Sequence, residues 1–210
     1  MLEAIVRLVG VQSRVVWSEK LVAATGALLV ILATFYSSWY WTGYEGSMAI
    51  IPSIGAAAVL LFAVPHGQLS TPWALFAGNI ISAFVGVSCA ILISNPFLAA
   101  ALAVGASVFF MHLGRCLHPP GGATALAAVI GGESISNLGY WYVITPTLIN
   151  CCILFLVALL YNNRFHWRRY PSSLMRYQGE VFNPDTVQIK TRHIHEAIAR
   201  SEVVVDVSDE

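Results

Sequence analysis

The stretch Leu117-His118-Pro119-Pro120-Gly121-Gly122-Ala123-Thr124-Ala125-Leu126 lies between two long apolar segments and reads as the start of a helix set inside a membrane. Proline at the first helical position gives up an N–H that has no intrahelical partner, and the glycines after it let another backbone or a ligand approach the first turn. A helix start of this kind attracts anions, because its unpaired donors and the positive end of its dipole point the same way. On local residues alone, Pro-Pro-Gly-Gly is equally compatible with a sharp turn between two spans.

Composition settles the environment of that helix. Hydrophobic residues make up 57% of the 210 residues and charged residues 10%, with a mean hydropathy of +0.70; soluble domains carry about 25% charged residues. Between Leu21 and Asn163 the acidic and basic residues are Glu45, Arg115 and Glu133. A soluble domain of that length cannot shed its charged surface so completely, so the chain is an integral membrane protein whose first partner is the lipid bilayer. The remaining charges lie in the flanks, and the formal net charge of zero carries no information about other partners; no nucleic acid is expected. The apolar run after Lys20 is long enough to span, and no small-residue cleavage pattern ends it before Trp39 and Trp41, so it reads as a retained first span. Cys89, Cys116, Cys151 and Cys152 have no metal-ligand spacing and read as reduced thiols, with no metal or cofactor expected.

Outward from the central stretch, the pattern predicts an all-α polytopic fold with about four full spans and two shorter or broken helices. Residues 1–18 alternate apolar and basic positions, as in an amphipathic helix on the membrane surface. A first span from about Lys20 to Tyr36 ends in the aromatic cluster Phe35 to Tyr44, which marks an interface. Ser47 to Val64 contains Pro52 and Gly55, and reads either as a helix begun at depth after a short extended piece, Gly46 to Ile51, or as a kinked full span. Spans follow from about Trp73 to Ile93 and from Phe97 to His112. The helix that starts at Pro119 ends at Gly131-Gly132 after about a dozen residues, too short for a hydrocarbon core that takes about 20. A last span runs from about Tyr140 to Tyr161. The transmembrane domain is thus residues 19–163, followed by a cytoplasmic tail, 164–210, with a helix expected around Lys190 to Arg200. Positive residues at both ends of the apolar block put both termini in the cytoplasm and make the number of crossings even, namely six.

The two halves, 19–94 and 95–163, resemble each other at one frame. Pro52-Ser53-Ile54-Gly55-Ala56-Ala57-Ala58-Val59 and Pro119-Pro120-Gly121-Gly122-Ala123-Thr124-Ala125-Leu126 share Pro-x-x-Gly-Ala-x-Ala before an aliphatic residue. With three crossings each, the halves would form a 3+3 inverted repeat of the kind many secondary transporters use; chance likeness between small-residue helices is the alternative. If both frames begin helices near the midplane, two helix N-termini face each other. A small inorganic anion would then meet Ser53, Gly55, Ala56, His118, Pro119, Pro120, Gly121, Gly122, Ala123 and Thr124. Asn79 is a candidate pathway residue because a buried amide needs partners; His112 and Arg115 are further pathway candidates, and His118 and Arg115 would give cationic help. Neither frame holds a carboxylate, which argues against a carboxylate-based cation or proton site; His118 titrates near neutral pH in its ordinary state and could couple a proton.

These residues carry a resemblance. His118 to Leu126, with Gly55-Ala56-Ala57-Ala58-Val59-Leu60-Leu61-Phe62 and Pro65-His66, resembles the HPP family of integral membrane proteins over roughly Trp17 to Pro171. Some chloroplast and cyanobacterial members are described as nitrite transporters. The resemblance implies a signature site of His118, Pro119, Pro120, Gly121, Gly122 and Thr124, nitrite or a similar anion as substrate class, and a bacterial inner membrane as location. Longer relatives carry cytoplasmic CBS domains after such a linker, for which this tail has no room. Two other classes stand beside the transporter: a membrane-embedded sensor or regulatory subunit acting through the tail, and an enzyme using His66, His112 and His118, which lacks acidic ligands and regular spacing. His193 and His195 in the tail, two residues apart on a helix, would face differently and make no metal site. Channel and carrier are not separated by the residues, and a homo-oligomer is left open.

Overall fold

In the computed structural model, which describes residues 15–174, the chain is a bundle of helices with no strand among the described residues. The tail helix expected around Lys190 to Arg200, with His193 and His195, and most of the amphipathic segment 1–18 lie outside the described residues. Four helices are long and apolar enough to cross a membrane: α1 (Trp17–Ala63), α2 (Ala74–Leu92), α3 (Pro96–Leu113) and α6 (Val143–Asn162). The short apolar helix α4 spans Pro119–Ile130 and a single turn, α5, spans Glu133–Ser136. The all-α membrane architecture agrees with the sequence reading, and α4 starts and stops where its prolines and glycines predict.

The 47 residues of α1 are not one straight rod. Gly43 interrupts it with φ 69 and ψ −177, a conformation glycine adopts without the penalty of a Cβ. Gly26 lies against the Phe62 ring, where a Cβ would come within 2.3 Å of Cδ1. Thirty-six residues of straight helix would hold those two about 54 Å apart. The helix therefore folds back at Gly43 into a hairpin of two arms, residues 17–42 and 44–63. Tyr36, Trp39, Tyr40, Trp41 and Tyr44 of the aromatic cluster lie around this turn and are exposed.

Here one expectation is corrected. Gly46 to Ile51, read as an extended lead into a helix begun at depth, is helical throughout, and Pro52 sits inside the second arm. The break belongs to Gly43, where φ > 0 is needed, and not to Pro52. Gly55 is thus in mid-helix with no free N–H to offer. Each half does supply three helical segments longer than one turn, but their middle members, residues 44–63 and Pro119–Ile130, differ in length and form. The 3+3 inverted repeat is not confirmed by them.

The ends of the membrane block come together. Arg168, 1% exposed, pairs with Glu19 and also donates to the Phe62 carbonyl, while Trp167 Nε1 donates to Glu19 Oε2 at 2.9 Å. Asn162 Nδ2 donates to the Leu61 carbonyl at 3.1 Å, so the last carbonyls of the second arm find donors. Burial lowers the pKa of Arg168 and the Glu19 charge opposes that shift. At the opposite end, Gly46 abuts Ser134. The core between them is built from Val30, Ile54, Ala57, Leu61, Phe62, Leu75, Ala83, Tyr142 and Leu154, with Ala and Gly at helix crossings. Gly86, where a Cβ would lie 2.5 Å from the Ala125 carbonyl, lets α2 and α4 touch backbone to backbone. The outward residues of α3, among them Phe97, Leu102, Phe109 and Leu113, are exposed and meet lipid.

Candidate functional site

Three local irregularities converge on one place. The first turns of α2, Ala74–Gly78, are wound as a π-helix, and the Asn79 N–H meets the carbonyls of Leu75 and Phe76. In α6, Thr145 is extended (φ −124, ψ 111) ahead of Pro146, as a residue before proline prefers. The third is the start of α4 at Pro119. Asn79, Thr147, Asn150 and Thr124 lie within two turns of these breaks, and π turns and interrupted helices often mark sites in membrane proteins.

Around them is a cavity of about 20 Å³, a little more than one water needs. Its polar wall is Ser53 from the second arm of α1, Asn79 from α2, Thr124 from α4, Tyr142, and Thr147 and Asn150 from α6; Ile50, Ile54, Ala57, Cys151 and Leu154 complete it. The Thr124 hydroxyl donates to Asn79 Oδ1 at 2.7 Å. Ser53 Oγ lies 2.6 Å from Thr124 Oγ1 and donates to the Pro120 carbonyl at 2.8 Å. Asn79 Nδ2 donates to the Leu75 carbonyl at 2.8 Å, and Tyr142 OH to the Thr124 carbonyl at 3.0 Å. Asn150 Nδ2 donates to Ser38 Oγ at 2.8 Å. Two wall atoms, Thr147 Oγ1 and Asn150 Oδ1, are buried without a hydrogen-bond partner among the described residues. Such atoms are costly to leave bare and mark a place where something polar belongs.

The residues singled out in the sequence divide. Ser53, Asn79 and Thr124 meet at the cavity, and Pro120 contributes its carbonyl. Gly55 is half-buried with open space beside it, and Ala56 is exposed. His112 and Arg115 are exposed, as are Glu45 and Glu133, and neither of these two pathway candidates lines the cavity. Arg115 instead takes the left-handed position (φ 50) in the turn that ends α3, where the Cys116 N–H reaches the Met111 carbonyl at 2.9 Å.

The start of α4 is not an anion trap of the expected kind. Pro119 and Pro120 have no N–H, and the Gly121 N–H donates to the His118 carbonyl at 2.8 Å. Of the donors a helix start leaves free, the prolines remove two and the backbone uses a third. Gly121 packs tightly, with Ser82 Oγ at 2.6 Å and the Gly78 carbonyl at 3.1 Å from where a Cβ would stand, whereas the nearest atom to a Cβ on Gly122 would be Val104 Cγ1 at 3.8 Å. Ala123 is half-buried and Pro119 exposed. His118 is fully buried, and its Nδ1 meets the Leu69 carbonyl at 2.9 Å, which makes Nδ1 the protonated nitrogen and leaves Nε2 bare. It ties α4 to the loop between the hairpin and α2 and does not line the cavity. Paired helix N-termini are therefore replaced by one cavity walled with uncharged polar groups. Thr147, Asn150 and Tyr142 were missed in the sequence because they fall inside the apolar run read as the last span, Tyr142 beside Tyr140 and Trp141 at its edge; Thr145-Pro146 was the available signal.

Among the described residues no group of three His, Cys, Asp or Glu side chains is placed to hold a metal ion. Two Dictyostelium discoideum proteins, each named a transmembrane protein, are 40% and 37% identical to this chain over 126 residues, 58% of it. Those stretches are 44% and 40% of their own lengths, so the chain spans less than half of the curated relatives it matches. No solved structure matches the chain. The family described as HPP, transmembrane region, matches residues 12–171, and it includes the cavity and the helices that wall it. This chain belongs to the HPP family of integral membrane proteins.

Proposed function

We propose that the protein moves a small inorganic anion across a membrane, as a channel or carrier, with nitrite as the leading substrate, and that it does no covalent chemistry. One observation carries this reading: a polar cavity at the crossing of the two Pro-x-x-Gly-Ala frames, with two buried oxygen atoms, Thr147 Oγ1 and Asn150 Oδ1, lacking partners. Buried unpaired groups cost stability, and these two face the cavity, whereas the other unpaired side-chain atoms among the described residues, Ser107 Oγ, His118 Nε2 and Tyr170 OH, lie outside its lining. Nitrite comes from the family resemblance and not from the size of the cavity, which has room for little more than one water.

In this reading the end that joins Glu19 to Arg168 faces the cytoplasm. Lys20, Arg164 and Arg169 flank that end, whereas Glu45 and Glu133 flank the other, which is the charge bias expected of an inward-facing side. A bacterial inner membrane is the proposed location, and the tail a cytoplasmic extension.

Uptake of nitrite, nitrate, formate, bicarbonate and chloride into proteoliposomes holding the purified protein tests the proposal, with protein-free vesicles as control. Saturable nitrite flux above that control is the expected result. No flux of any of the five, from protein with an intact thermal unfolding transition, removes the transport reading and favours the regulatory one.

A further inference from the structure

We infer that the segment after α6, residues 164–171, is a removable plug: the Tyr170 ring enters and leaves the Glu19 end of the helix bundle, and Glu19 is its catch. Arg168 and Tyr170 are 1% and 0% exposed, although they lie in a connection whose one regular turn before Pro171 is His166–Arg168. The Tyr170 ring stands 6.2 Å from that of Phe155, the neighbour of Leu154 in the cavity wall. On the second arm Ala58 and Leu61 follow the wall residue Ala57, on α6 Ala158 follows Leu154, and Tyr170 belongs to the same apolar core. The ring thus closes the apolar layer between this end and the cavity.

Two features set this ring apart from the helix side chains around it. The first is how its segment is held. Among the described residues, the N–H groups of Arg164, Phe165 and Arg168 donate to carbonyls three positions back, and no backbone hydrogen bond joins the segment to another element. Side chains hold it instead: Arg168 pairs with Glu19 and donates to the Phe62 carbonyl, and Trp167 Nε1 donates to Glu19 Oε2 at 2.9 Å. It can leave without breaking a helical ladder. The second feature is the Tyr170 hydroxyl, which is buried with no hydrogen-bond partner among the described residues. A phenylalanine would fill the same place without stranding a hydroxyl, whereas tyrosine gains a partner when its ring moves out to water. The bare group therefore weakens the closed state relative to an open one. What the opening does rests on the transport reading above: with the ring in, as here, the way from this end to the cavity is shut.

The test is hydrogen exchange over residues 165–170, read beside nitrite flux, in proteoliposomes of the full-length protein and of Tyr170→Phe and Trp167→Phe. The inference expects these amides to exchange through a local opening, well ahead of the core of α6. Tyr170→Phe should slow that exchange about tenfold and raise the unfolding midpoint, because no hydroxyl is left bare in the closed state, and flux should fall with it. Trp167→Phe removes a donor to Glu19, so exchange should quicken about threefold and flux should rise. Exchange at 165–170 as slow as in the core of α6 would overturn the inference. So would an unchanged rate in Tyr170→Phe, which would mean that the hydroxyl has a partner, such as a water, in the closed state. Flux that ignores both variants while their exchange shifts would overturn the closure and leave transport standing. Shifted exchange in a protein that moves none of the five anions would leave the plug standing and remove the transport reading instead.

Discussion

Ser53 Oγ and Thr124 Oγ1 stand 2.6 Å apart although 71 residues separate them. Each belongs to one of the two frames that share Pro-x-x-Gly-Ala-x-Ala, and Ser53 also reaches Pro120, its counterpart in the other frame. The frames thus cross and bond to each other, without both beginning helices there. Thr124 is the centre of this contact, because its hydroxyl also donates to Asn79. Thr124→Val should lower stability in detergent by about 1–3 kcal/mol, since it strands the Asn79 oxygen and removes a partner of Ser53. Thr124→Ser should keep most of the stability. Thermal unfolding of the three proteins measures this, and equal midpoints for the valine and serine variants would contradict it.

Gly121 and Gly122 look alike in sequence and differ in surroundings. A Cβ at Gly121 would stand 2.6 Å from Ser82 Oγ and 3.1 Å from the Gly78 carbonyl, and the backbone atom cannot swing aside. At Gly122 the nearest atom would be 3.8 Å away, an ordinary contact. Gly121→Ala should therefore cost about 1–3 kcal/mol by forcing α4 from α2, and Gly122→Ala should be neutral or slightly stabilising. Expression level and unfolding midpoint report the difference.

The limits of α4 were legible because proline and glycine act locally: Pro119 fits a first turn, and Gly131-Gly132 ends it. The long spans were legible from apolar length alone. What failed depended on context. Pro52 looked like a helix start, yet the second arm of α1 begins at the φ 69 of Gly43 and carries the proline inside it. Ser53, Asn79 and Thr124 could be named from sequence, but their convergence with Thr147 and Asn150 needs α6 beside the hairpin. His112, Arg115 and His118 are evenly spaced, yet α3 ends at Leu113 and a left-handed Arg115 turns the chain, so the three side chains part.

His118 bridges α4 to the loop before α2 through Leu69, 49 residues away. His118→Ala removes that donor and leaves the Leu69 carbonyl bare, so amide exchange in residues 67–71 should speed up and stability should fall by about 1–3 kcal/mol. The pH profile of nitrite uptake should keep its shape, since the imidazole lies outside the cavity wall. A changed profile with unchanged exchange would place the imidazole in the pathway instead.

Arg168 holds three elements with one planar group. Nε donates to Asn162 Oδ1 at 3.4 Å, Nη1 pairs with Glu19, and Nη2 donates to the Phe62 carbonyl, so the last turn of α6, the start of α1 and the end of its second arm meet at one guanidinium. Its side chain is 1% exposed and that of Glu19 23%. Removing one member of a buried pair leaves the other charge uncompensated, so Glu19→Gln should cost about 3 kcal/mol, the low end for such pairs, because Glu19 keeps some water. Arg168→Lys should not rescue an Arg168→Ala loss, since an ammonium on a flexible stem cannot reach all three acceptors at once. The double variant Glu19→Gln, Arg168→Met should be more stable than Glu19→Gln alone, because no unpaired charge stays buried. Unfolding midpoints of these variants separate a clamp made by the ion pair from one made by packing of the side chain: if the double variant is the least stable, the methylenes and not the charges hold the two ends together.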